Sequence, residues 1–396
     1  MSGPLDGLRV VEFTHLIQGP QCGALLQTLG AEVVKIEAPE LGDNSRRIPI
    51  GPDDPRQPYL HAHNRGKRSI ALNASTPEGL EVAKRLIERS DVLLASLRPG
   101  ALDRMGLDYD TCAELNPRLV YAVGSAYGPK GELADHPGID ILAQAMGGVI
   151  SKTGTPEQPM PAGNTIADSA AAQLLFGGIL AALYARERTG RGQRIDASLF
   201  GGQIWSQGGE LSYQLIGGRE FARITGGQPN LSPLTIYGVF AASDGHLAFS
   251  GVPDSEWADF CEALEDPRFL DERFADQLSR VANIEELRPL LREVLATRPR
   301  DEWVRRFRAA HVRHAPVQSY AEVEADPQAR TNGYLVEVDH PDWGPMVSLG
   351  SPIAFSDTPA EPAVRAPQLG EQTEEVLLEL GYDWDAIEGL REAGAI

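Results

Sequence analysis

The chain has 396 residues, which is longer than a single hydrophobic core usually grows, so two domains are expected. Its hydrophobic content of 42% is ordinary for a globular protein, and its formal net charge of −20 opposes binding to nucleic acid or to an anionic membrane surface. No signal peptide precedes the first predicted strand, and no apolar run is predicted to span a membrane. We therefore expect a cytoplasmic protein.

The cysteine and histidine patterns argue against a metal site. The cysteines lie far apart and form no CxxC pattern, so neither a disulfide framework nor a cysteine metal site is expected. The close histidine pairs, His61/His63 and His311/His314, have no neighbouring carboxylate in a metal-binding pattern. We therefore predict that the protein binds no metal.

The first half of the chain alternates between strand and helix patterns. The predicted strands are 8–14, 32–38, 68–72, 91–97 and 119–125. The predicted helices are 20–29, a helix that starts at Ser75-Thr76-Pro77-Glu78, and 109–115. Buried strands that alternate with helices in this way predict an α/β fold with a doubly wound sheet.

The segment 164–200 predicts a long helix, a basic glycine turn and a strand. Its apolar residues recur at helical spacing and its small residues would let another backbone approach, so the helix is expected to be buried. Asn164 or Thr165 can cap its start, which places Asp168 in the first turn. Free amide groups and the helix dipole favour a carboxylate anion there, so Asp168 is expected to be ionised at neutral pH. This position alone does not make Asp168 catalytic.

The loops after the predicted strands carry cations but no standard phosphate loop. No GxGxxG follows the first strand and no GxxxxGK[ST] occurs, so a dinucleotide or ATP site is not expected. The basic residues in these loops are Arg65, Lys67, Arg68, Arg98 and Arg104. Each taken alone is typical of a solvated surface.

The sequence changes character after residue 200, and a domain boundary is expected near residue 225. A hairpin that turns at Asp244-Gly245 and amphipathic helices at 285–295 and 303–310 predict a smaller α+β domain. The expected divisions are 1–224 for the first part of a large domain, 225–325 for the small domain, and 326–396 for a return linker and the C-terminal part of the large domain.

Short segments spread along the whole chain form a specific series. They are, in order, PLDGLRVVEFTH, LGAEVVKIE, NRGKRSIALN, RPGALDRMGLDY, LNPRLVYAVGSAYG, PGIDILAQAMGG, TGRGQRIDASL and RAPQLGEQTEEVL. In order and spacing they resemble the class III coenzyme A transferases of the CaiB/BaiF type, the family of formyl-CoA transferase. The resemblance implies a Rossmann-like large domain formed by both chain ends, a small α+β domain between them, and two such open rings interlocked as a homodimer.

The resemblance also implies a reaction. Asp168 would be the nucleophile that attacks an acyl-CoA thioester to give an acyl–aspartyl mixed anhydride. CoA would then be held on the same aspartate as a thioester while two carboxylic acids exchange, without ATP. The implied function is an acyl-CoA:carboxylate CoA-transferase, with coenzyme A and acyl-CoA as substrates and no permanently bound cofactor. Its partners would be an acyl-CoA and a carboxylic acid.

The resemblance assigns the residues around these substrates. The residues expected on the CoA side are His15, Ile17, Gln18, Lys67, Arg68, Ser96, Arg98 and Arg104. The residues expected on the acyl side are Tyr127, Ile139, Asp140 and the glycine loop Gly226-Gly227-Gln228. The cations would contact CoA phosphates, and the backbone amides of the glycine loop could approach an acyl oxygen.

Departures from formyl-CoA transferase bear on the substrate. The active-site glutamine of that enzyme falls on Ile17 here, and a tyrosine of its cleft falls on Ile139. Formyl and oxalate are therefore not the expected substrates, and a larger, less polar acyl group is. Ser96 and Gln372 also replace an asparagine and a histidine that are usual in the family.

Two other functions remain open at this point. The α-methylacyl-CoA racemases of the same superfamily pair the corresponding aspartate with a histidine for proton transfer at the α-carbon. That histidine should precede Asp140, where this chain has Ile139, so the pair is incomplete. The other alternative is a non-catalytic CoA-binding protein, which the retention of Asp168 disfavours.

Overall fold

The computed structural model describes residues 3–220, 236–360 and 362–396, which form two compact units. The first unit comprises the chain up to Gly148, Ala162–Gln207 and Pro327–Ile396. The second comprises Val149–Pro161 and Gly208–Asp326. The division after Gln207 falls earlier than the boundary expected near residue 225. The first unit therefore contains both the early part and the end of the chain.

The elements follow one another in three runs. The first run is β1 (Arg9–Thr14), α1 (Gln18–Thr28), β2 (Glu32–Glu37), α2 (Pro58–Asn64), β3 (Arg68–Ala71), α3 (Pro77–Glu88), β4 (Val92–Ser96), α4 (Ala101–Arg104), α5 (Tyr109–Leu115), β5 (Val120–Ser125), α6 (Asp140–Met146), α7 (Ile166–Thr189), β6 (Arg194–Ser198) and α8 (Leu199–Ser206). The second unit then contains α9 (Gly208–Gly217), β7 (Tyr237–Ala241), β8 (His246–Ser250), α10 (Asp254–Leu264), α11 (Gln277–Ala282), α12 (Ile284–Leu295), α13 (Arg300–Ala309), β9 (His314–Pro316) and α14 (Tyr320–Ala325). The first unit closes with α15 (Pro327–Thr331), β10 (Leu335–His340), β11 (Gly344–Leu349), α16 (Thr373–Glu379) and α17 (Trp384–Glu392).

Strands β1 to β6 form one parallel sheet in the order β3-β2-β1-β4-β5-β6. This confirms the predicted doubly wound α/β architecture. The direction in which the chain crosses the sheet reverses between the neighbouring strands β1 and β4. Ligands of such sheets bind outside the carboxyl ends of the strands at this reversal, so the loops after β1 and β4 are where a site is expected.

Alternating side chains of the central strands supply a core on each face of the sheet. Val11 belongs to the core that α3, α5, α16 and α17 cover, where Leu377 of α16 is also fully buried. Val10 belongs to the opposite core, together with Leu26 of α1 and Leu175 of α7. The C-terminal helices thus complete one face of the sheet, and the helix that carries Asp168 covers the other.

Helix α7 is the long helix predicted around Asp168. By length and composition it is apolar enough to cross a membrane, contrary to the expectation that no such run occurs, but the core helix of a soluble protein passes the same test. One side packs in the core of the sheet, whereas Leu174 and Tyr184 are exposed. The prediction of a buried helix is therefore confirmed for one face and wrong for the other. Gly190 ends the helix with φ 71°, a left-handed conformation that glycine adopts without strain.

The second unit is a smaller α+β structure. Strands β7, β8 and β9 form an antiparallel sheet, and the hairpin predicted at Asp244-Gly245 is confirmed as the β7–β8 turn. Its core is aromatic: the ring of Phe249 lies 5.9 Å from that of Phe260 and 5.2 Å from that of Phe307. Such edge-to-face pairs add to the stabilisation from burial of the rings.

A buried ion network lies beneath the turn between β1 and α1. The carboxylate of Glu12 is 2.9 Å from the ammonium of Lys35 and 2.8 Å from that of Lys67, and Lys35 is also 2.9 Å from Asp43. None of these four side chains is exposed, and their charges balance. Burial opposes ionisation of Glu12, but the two ammonium groups hold its pKa below the usual range. Gly23 lets α1 approach closely, since a Cβ there would lie 2.0 Å from Glu12 Oε2.

Lys67→Ala is expected to destabilise the fold because it leaves the buried Glu12 carboxylate with one counter-ion fewer. Removal of one partner of a buried pair costs on the order of 3–5 kcal/mol, which urea unfolding would resolve easily. Arg118→Ala is the control, because Arg118 pairs with Glu187 on the exposed surface, where such pairs contribute little. A Lys67→Ala protein that unfolds at the same urea concentration as wild type would contradict this role for the network.

Candidate active site

The site forms at the carboxyl ends of β1, β4 and β5, where the chain order across the sheet reverses. The turn after β1 brings His15, Ile17 and Gln18 to this edge, and Ser96 ends β4. Helix α7 packs against α1, and the backbone amide of Gln18 is near enough to the Asp168 carboxylate to lower its pKa. The sheet therefore brings the predicted nucleophile to the expected CoA-binding turn.

Gln18 joins α1 to β5 as well as to Asp168. Its side-chain Nε2 donates a hydrogen bond to the carbonyl oxygen of Ser125, at 3.2 Å. A glycine is needed beneath it, since a Cβ at Gly124 would lie 2.7 Å from Gln18 Oε1. The amide side chain of Gln18 therefore fixes the helix against the sheet, and its backbone faces Asp168.

Asp140 caps the helix that carries Asp168. Its Oδ2 accepts hydrogen bonds from the backbone amides of Ala167, at 2.7 Å, and Asp168, at 3.0 Å. Thr165 occupies the N-cap position but makes no side-chain cap hydrogen bond. The prediction that Asn164 or Thr165 caps α7 is therefore wrong, because a carboxylate from α6 satisfies the free amides instead.

Gln144 orients the Asp140 carboxylate. It lies one helical turn later in α6 and is fully buried. Its Nε2 donates to Asp140 and to the carbonyl oxygen of Gly163, at 2.7 Å for the latter, while its Oε1 accepts from the amide of Ala162, at 3.0 Å. These bonds fix the segment that leads into α7. This role of Gln144 was not predicted from the sequence, where its i,i+4 spacing from Asp140 is the available signal.

The Asp168 carboxyl group is only partly ionised at neutral pH. Burial and the neighbouring Asp140 carboxylate raise the pKa of Asp168 to about 7, and the backbone hydrogen bond from Gln18 offsets part of this rise. The expectation of a fully ionised Asp168 is therefore wrong, because desolvation and a like charge outweigh the helix dipole. Carboxyl groups with pKa values moved towards neutrality are typical of active sites.

Two of the cations expected to contact CoA phosphates are engaged within the first unit. The Lys67 ammonium is buried against Glu12, and the Arg68 guanidinium forms ion pairs with Glu32 and Glu379. Both cations therefore already have carboxylate partners, and their contact with CoA phosphates stays a prediction. The sequence pattern could not show this, because their partners are far away along the chain.

The other two cations are placed differently. Arg98 and Arg104 are exposed on the segment after β4, on the same edge of the sheet as Asp168. Arg104 makes only a long contact of 3.5 Å with the carbonyl oxygen of Pro99. Ser96 is half-buried, and its hydroxyl has no hydrogen-bond partner in the described residues. Because Arg98 and Arg104 are exposed, their guanidinium groups can bind an anion from solvent.

The residues expected on the acyl side lie next to Asp140. The ring of Tyr127 packs on Gly138, where a Cβ would lie 3.0 Å from the ring. Ile139, the residue before Asp140, is 60% exposed. Gly226-Gly227-Gln228 lies outside the described residues.

His15 is neutral in this site. Burial lowers the pKa of its imidazole below the usual value, so at neutral pH the ring can donate or accept a hydrogen bond but carries no charge. Its Nδ1 is buried and has no partner among the residues that the structure describes. Across the described ranges, no three His, Cys, Asp or Glu side chains are grouped to hold a metal ion.

Comparison with known proteins gives the family. The model of CoA-transferase family III matches residues 5–373. The chain is 35% identical over 388 residues to the succinate–glutarate CoA-transferase of Agrobacterium fabrum, covering 95% of this chain and 96% of that protein. It is 35% identical over 391 residues to the succinyl-CoA:mesaconate CoA-transferase of Haloarcula marismortui, covering 96% and 97%.

A solved structure agrees with these sequence matches. The crystal structure of a CaiB/BaiF family protein from Brucella suis has a TM-score of 0.85 and 34% sequence identity to the chain, covering 96% of this chain and 100% of that one. The matches cover nearly the whole chain, so all of it is assigned to one family. The chain belongs to CoA-transferase family III and transfers CoA between an acyl-CoA and a carboxylic acid.

Proposed function

We propose that CoA is transferred through two covalent intermediates on Asp168. Its carboxylate attacks the thioester carbonyl of the donor, and the CoA thiolate leaves, which gives an acyl–aspartyl anhydride. The thiolate then attacks the Asp168 carbonyl carbon, so the donor acid leaves and an aspartyl-CoA thioester remains. The acceptor carboxylate then attacks the same carbonyl carbon, and the thiolate leaves to give a new anhydride. Finally the thiolate attacks the carbonyl carbon of the new acyl group, which forms the new acyl-CoA and frees the Asp168 carboxylate.

The observation that carries this proposal is the raised pKa of Asp168. Burial and the charge of Asp140 make the free Asp168 carboxylate costly. Formation of the anhydride moves that negative charge from Asp168 to the CoA thiolate, and formation of the thioester moves it to the departing donor acid. The environment that raises the pKa to about 7 therefore also favours the covalent forms of Asp168, in which the thiolate or the departing acid carries the charge.

The CoA phosphates are proposed to bind Arg98 and Arg104. Both side chains are exposed on the edge of the sheet where Asp168 lies. Guanidinium groups form charge-assisted hydrogen bonds with phosphate, which compensates for the acidic protein around them. Coenzyme A is thus bound as a substrate.

The acid substrates are proposed to be short dicarboxylic acids. Two relatives are named for transfers that involve succinate, glutarate and mesaconate, which all carry two carboxyl groups. The apolar side chains of Ile17 and Ile139 favour a donor with a longer carbon chain than formyl-CoA. Succinyl-CoA is therefore the donor of choice for assays. The racemase alternative is less well supported, because the exposed Ile139 stands where a histidine base is required.

The protein is proposed to work as an interlocked homodimer. Each unit separately exposes large apolar side chains: Trp205 of α8 is 77% exposed in the first unit, and Ile216 of α9 is 88% exposed in the second. Open space lies beside Gly177 on α7. Apolar surfaces of this kind mark protein interfaces, and a second copy is the commonest partner of a soluble enzyme.

Arg104→Ala is expected to weaken CoA binding by about tenfold, because one charge-assisted hydrogen bond contributes roughly 1.5 kcal/mol. Calorimetric titration with CoA measures the change, and the melting temperature should stay the same because the side chain is exposed. Arg118→Ala is the matched control, an exposed arginine near the amino end of β5. Equal CoA affinity in wild type and Arg104→Ala would remove this residue from the binding site.

Asp168→Asn is expected to abolish transfer by several orders of magnitude, because an amide is a far poorer nucleophile than a carboxylate. During turnover of the wild-type enzyme with succinyl-CoA, hydroxylamine should trap Asp168 as a hydroxamate, which peptide mass spectrometry detects. Asp110→Asn is the control, since Asp110 also lies in the first turn of a helix but is exposed on α5. It should keep full activity.

The pH dependence gives a second readout of the same prediction. Because the carboxylate form of Asp168 attacks, kcat/KM should rise with pH and reach half of its plateau near the pKa of about 7. An unmodified Asp168 peptide recovered from enzyme in confirmed turnover would rule out the covalent mechanism.

Trp205→Glu is expected to lower the melting temperature, because a second copy covers this side chain in the proposed dimer. Trp384→Glu is the matched control: Trp384 is 58% exposed on α17, and its replacement should have no effect. In analytical ultracentrifugation the wild-type protein should remain a dimer at nanomolar concentration, since interlocked chains separate only by unfolding. A wild-type monomer, or a Trp205→Glu protein as stable as wild type, would contradict the arrangement.

A further inference from the structure

The turn between β1 and α1 holds a strained residue next to the nucleophile. Leu16 has φ 66°, in the left-handed region that residues other than glycine avoid, at a cost of roughly 1–3 kcal/mol. Two residues later, Gln18 begins α1, which packs against α7, and its backbone amide is near enough to the Asp168 carboxylate to lower its pKa. A strained backbone persists only where its surroundings hold it, so the groups that hold Leu16 also determine where Gln18 points.

The Asp43 carboxylate holds this turn from one side. Its Oδ1 accepts a hydrogen bond from the backbone amide of Leu16, at 3.0 Å. The same oxygen accepts from the amide and the hydroxyl of Ser45, both at 2.8 Å. Its Oδ2 is 2.9 Å from the ammonium of Lys35. The carboxylate is fully buried and cannot rotate without losing these bonds.

Lys35 holds the turn from the other side. Its Nζ donates to the carbonyl oxygen of Thr14, at 3.0 Å, and to Glu12, at 2.9 Å. Thr14 precedes Leu16 by two residues, so the ion network contacts the backbone on both sides of His15. A continuous series of polar contacts therefore links Glu12 in the sheet, through Lys35 and Asp43, to the amide of Leu16.

We propose that Asp43, fixed by Lys35, is a positioning residue for the transfer reaction: it locks the strained turn so that the Gln18 amide remains on the Asp168 carboxylate. This inference rests on the proposed nucleophilic role of Asp168. Asp43 touches neither substrate nor the reacting atoms, and it acts through the backbone of residues 16–18.

Loss of the contact between Asp43 and Leu16 should change the pKa of Asp168. If the turn relaxes, the Gln18 amide moves away from Asp168. Burial and Asp140 raise the pKa of the Asp168 carboxyl group, and the Gln18 amide is the group that lowers it. The pKa of Asp168 should therefore rise further, and less nucleophile is available at neutral pH.

The other groups around Asp43 do not mimic this effect. The titratable or charged groups that face it are Lys35, Lys67, Glu37, His15 and His63. Burial lowers the pKa of both histidines, to about 4 for His63, so neither gains a charge near pH 7. Burial lowers the pKa of Lys67 to about 8, which affects only the alkaline side of a pH profile.

The test compares Asp43→Asn with Asp91→Asn. The first variant keeps an acceptor oxygen but loses the charge that Lys35 holds. The second breaks the pair between Asp91 and Arg186, 2.9 Å apart, near the amino ends of the strands. Both should lose stability. Only Asp43→Asn should move the acid midpoint of kcat/KM to higher pH and lower kcat/KM at pH 7 by roughly 10–100-fold.

Two further variants test the same turn. Glycine adopts the left-handed conformation without strain, so Leu16→Gly added to Asp43→Asn should return the midpoint towards the wild-type value. If Asp43→Asn does not fold, Ser45→Ala removes one hydrogen bond from the same carboxylate without changing any charge. It should shift the midpoint in the same direction by a smaller amount.

The outcomes separate the two proposals. A folded Asp43→Asn enzyme with the wild-type midpoint, or a midpoint that moves equally in Asp91→Asn, overturns the positioning role. The hydroxylamine adduct on wild-type Asp168 is measured in the same series. Without that adduct the covalent mechanism fails, whereas an adduct together with an unmoved midpoint overturns only the role of Asp43.

Discussion

The structure depends on a pair of like charges held partly out of water. Asp140 and Asp168 lie close enough for one carboxylate to raise the pKa of the other. The Asp140 charge is stabilised by the amides that begin α7 and by Gln144, so the cost of the pair falls mainly on Asp168. The two carboxyl groups therefore have different tasks: one organises the helix start, and the other is free to change its charge.

The buried ion network provides the rigid base beneath this pair. Buried ion pairs rarely stabilise a fold more than apolar side chains of the same volume would, because desolvation offsets most of their attraction. Their geometry is nevertheless specific, since Glu12, Lys35 and Asp43 each satisfy more than one partner. A network of this kind can hold a backbone conformation such as that of Leu16, which an apolar core with no directional contacts could not select.

Local signals in the sequence predicted the elements well, and long-range contacts account for the errors. The start predicted for α3 at Ser75-Thr76-Pro77-Glu78 is confirmed, and the side chain of Thr76 accepts a hydrogen bond from the amide of Gly79, three residues later. The cap of α7 comes instead from Asp140, which no pattern around residue 164 could show. Lys67 lies in a loop, where a lysine is usually exposed, yet its side chain is buried against Glu12 of β1. The parallel sheet follows from periodicity, whereas the charges inside the site follow from tertiary packing.

The cost of the free carboxylate also bears on how one site can serve different acids. In the proposed mechanism the anhydride and the thioester both move the charge away from Asp168, so an environment that penalises a charge at Asp168 favours the formation of each. This benefit does not depend on the acyl group, because it arises at the aspartate and not at the substrate. The same proposal leaves the choice of acid to side chains such as Ile17 and Ile139, which are separate from Asp140 and from the ion network. The relatives of this chain are named for different acids, which such a separation of the charged groups from the choice of acid would allow.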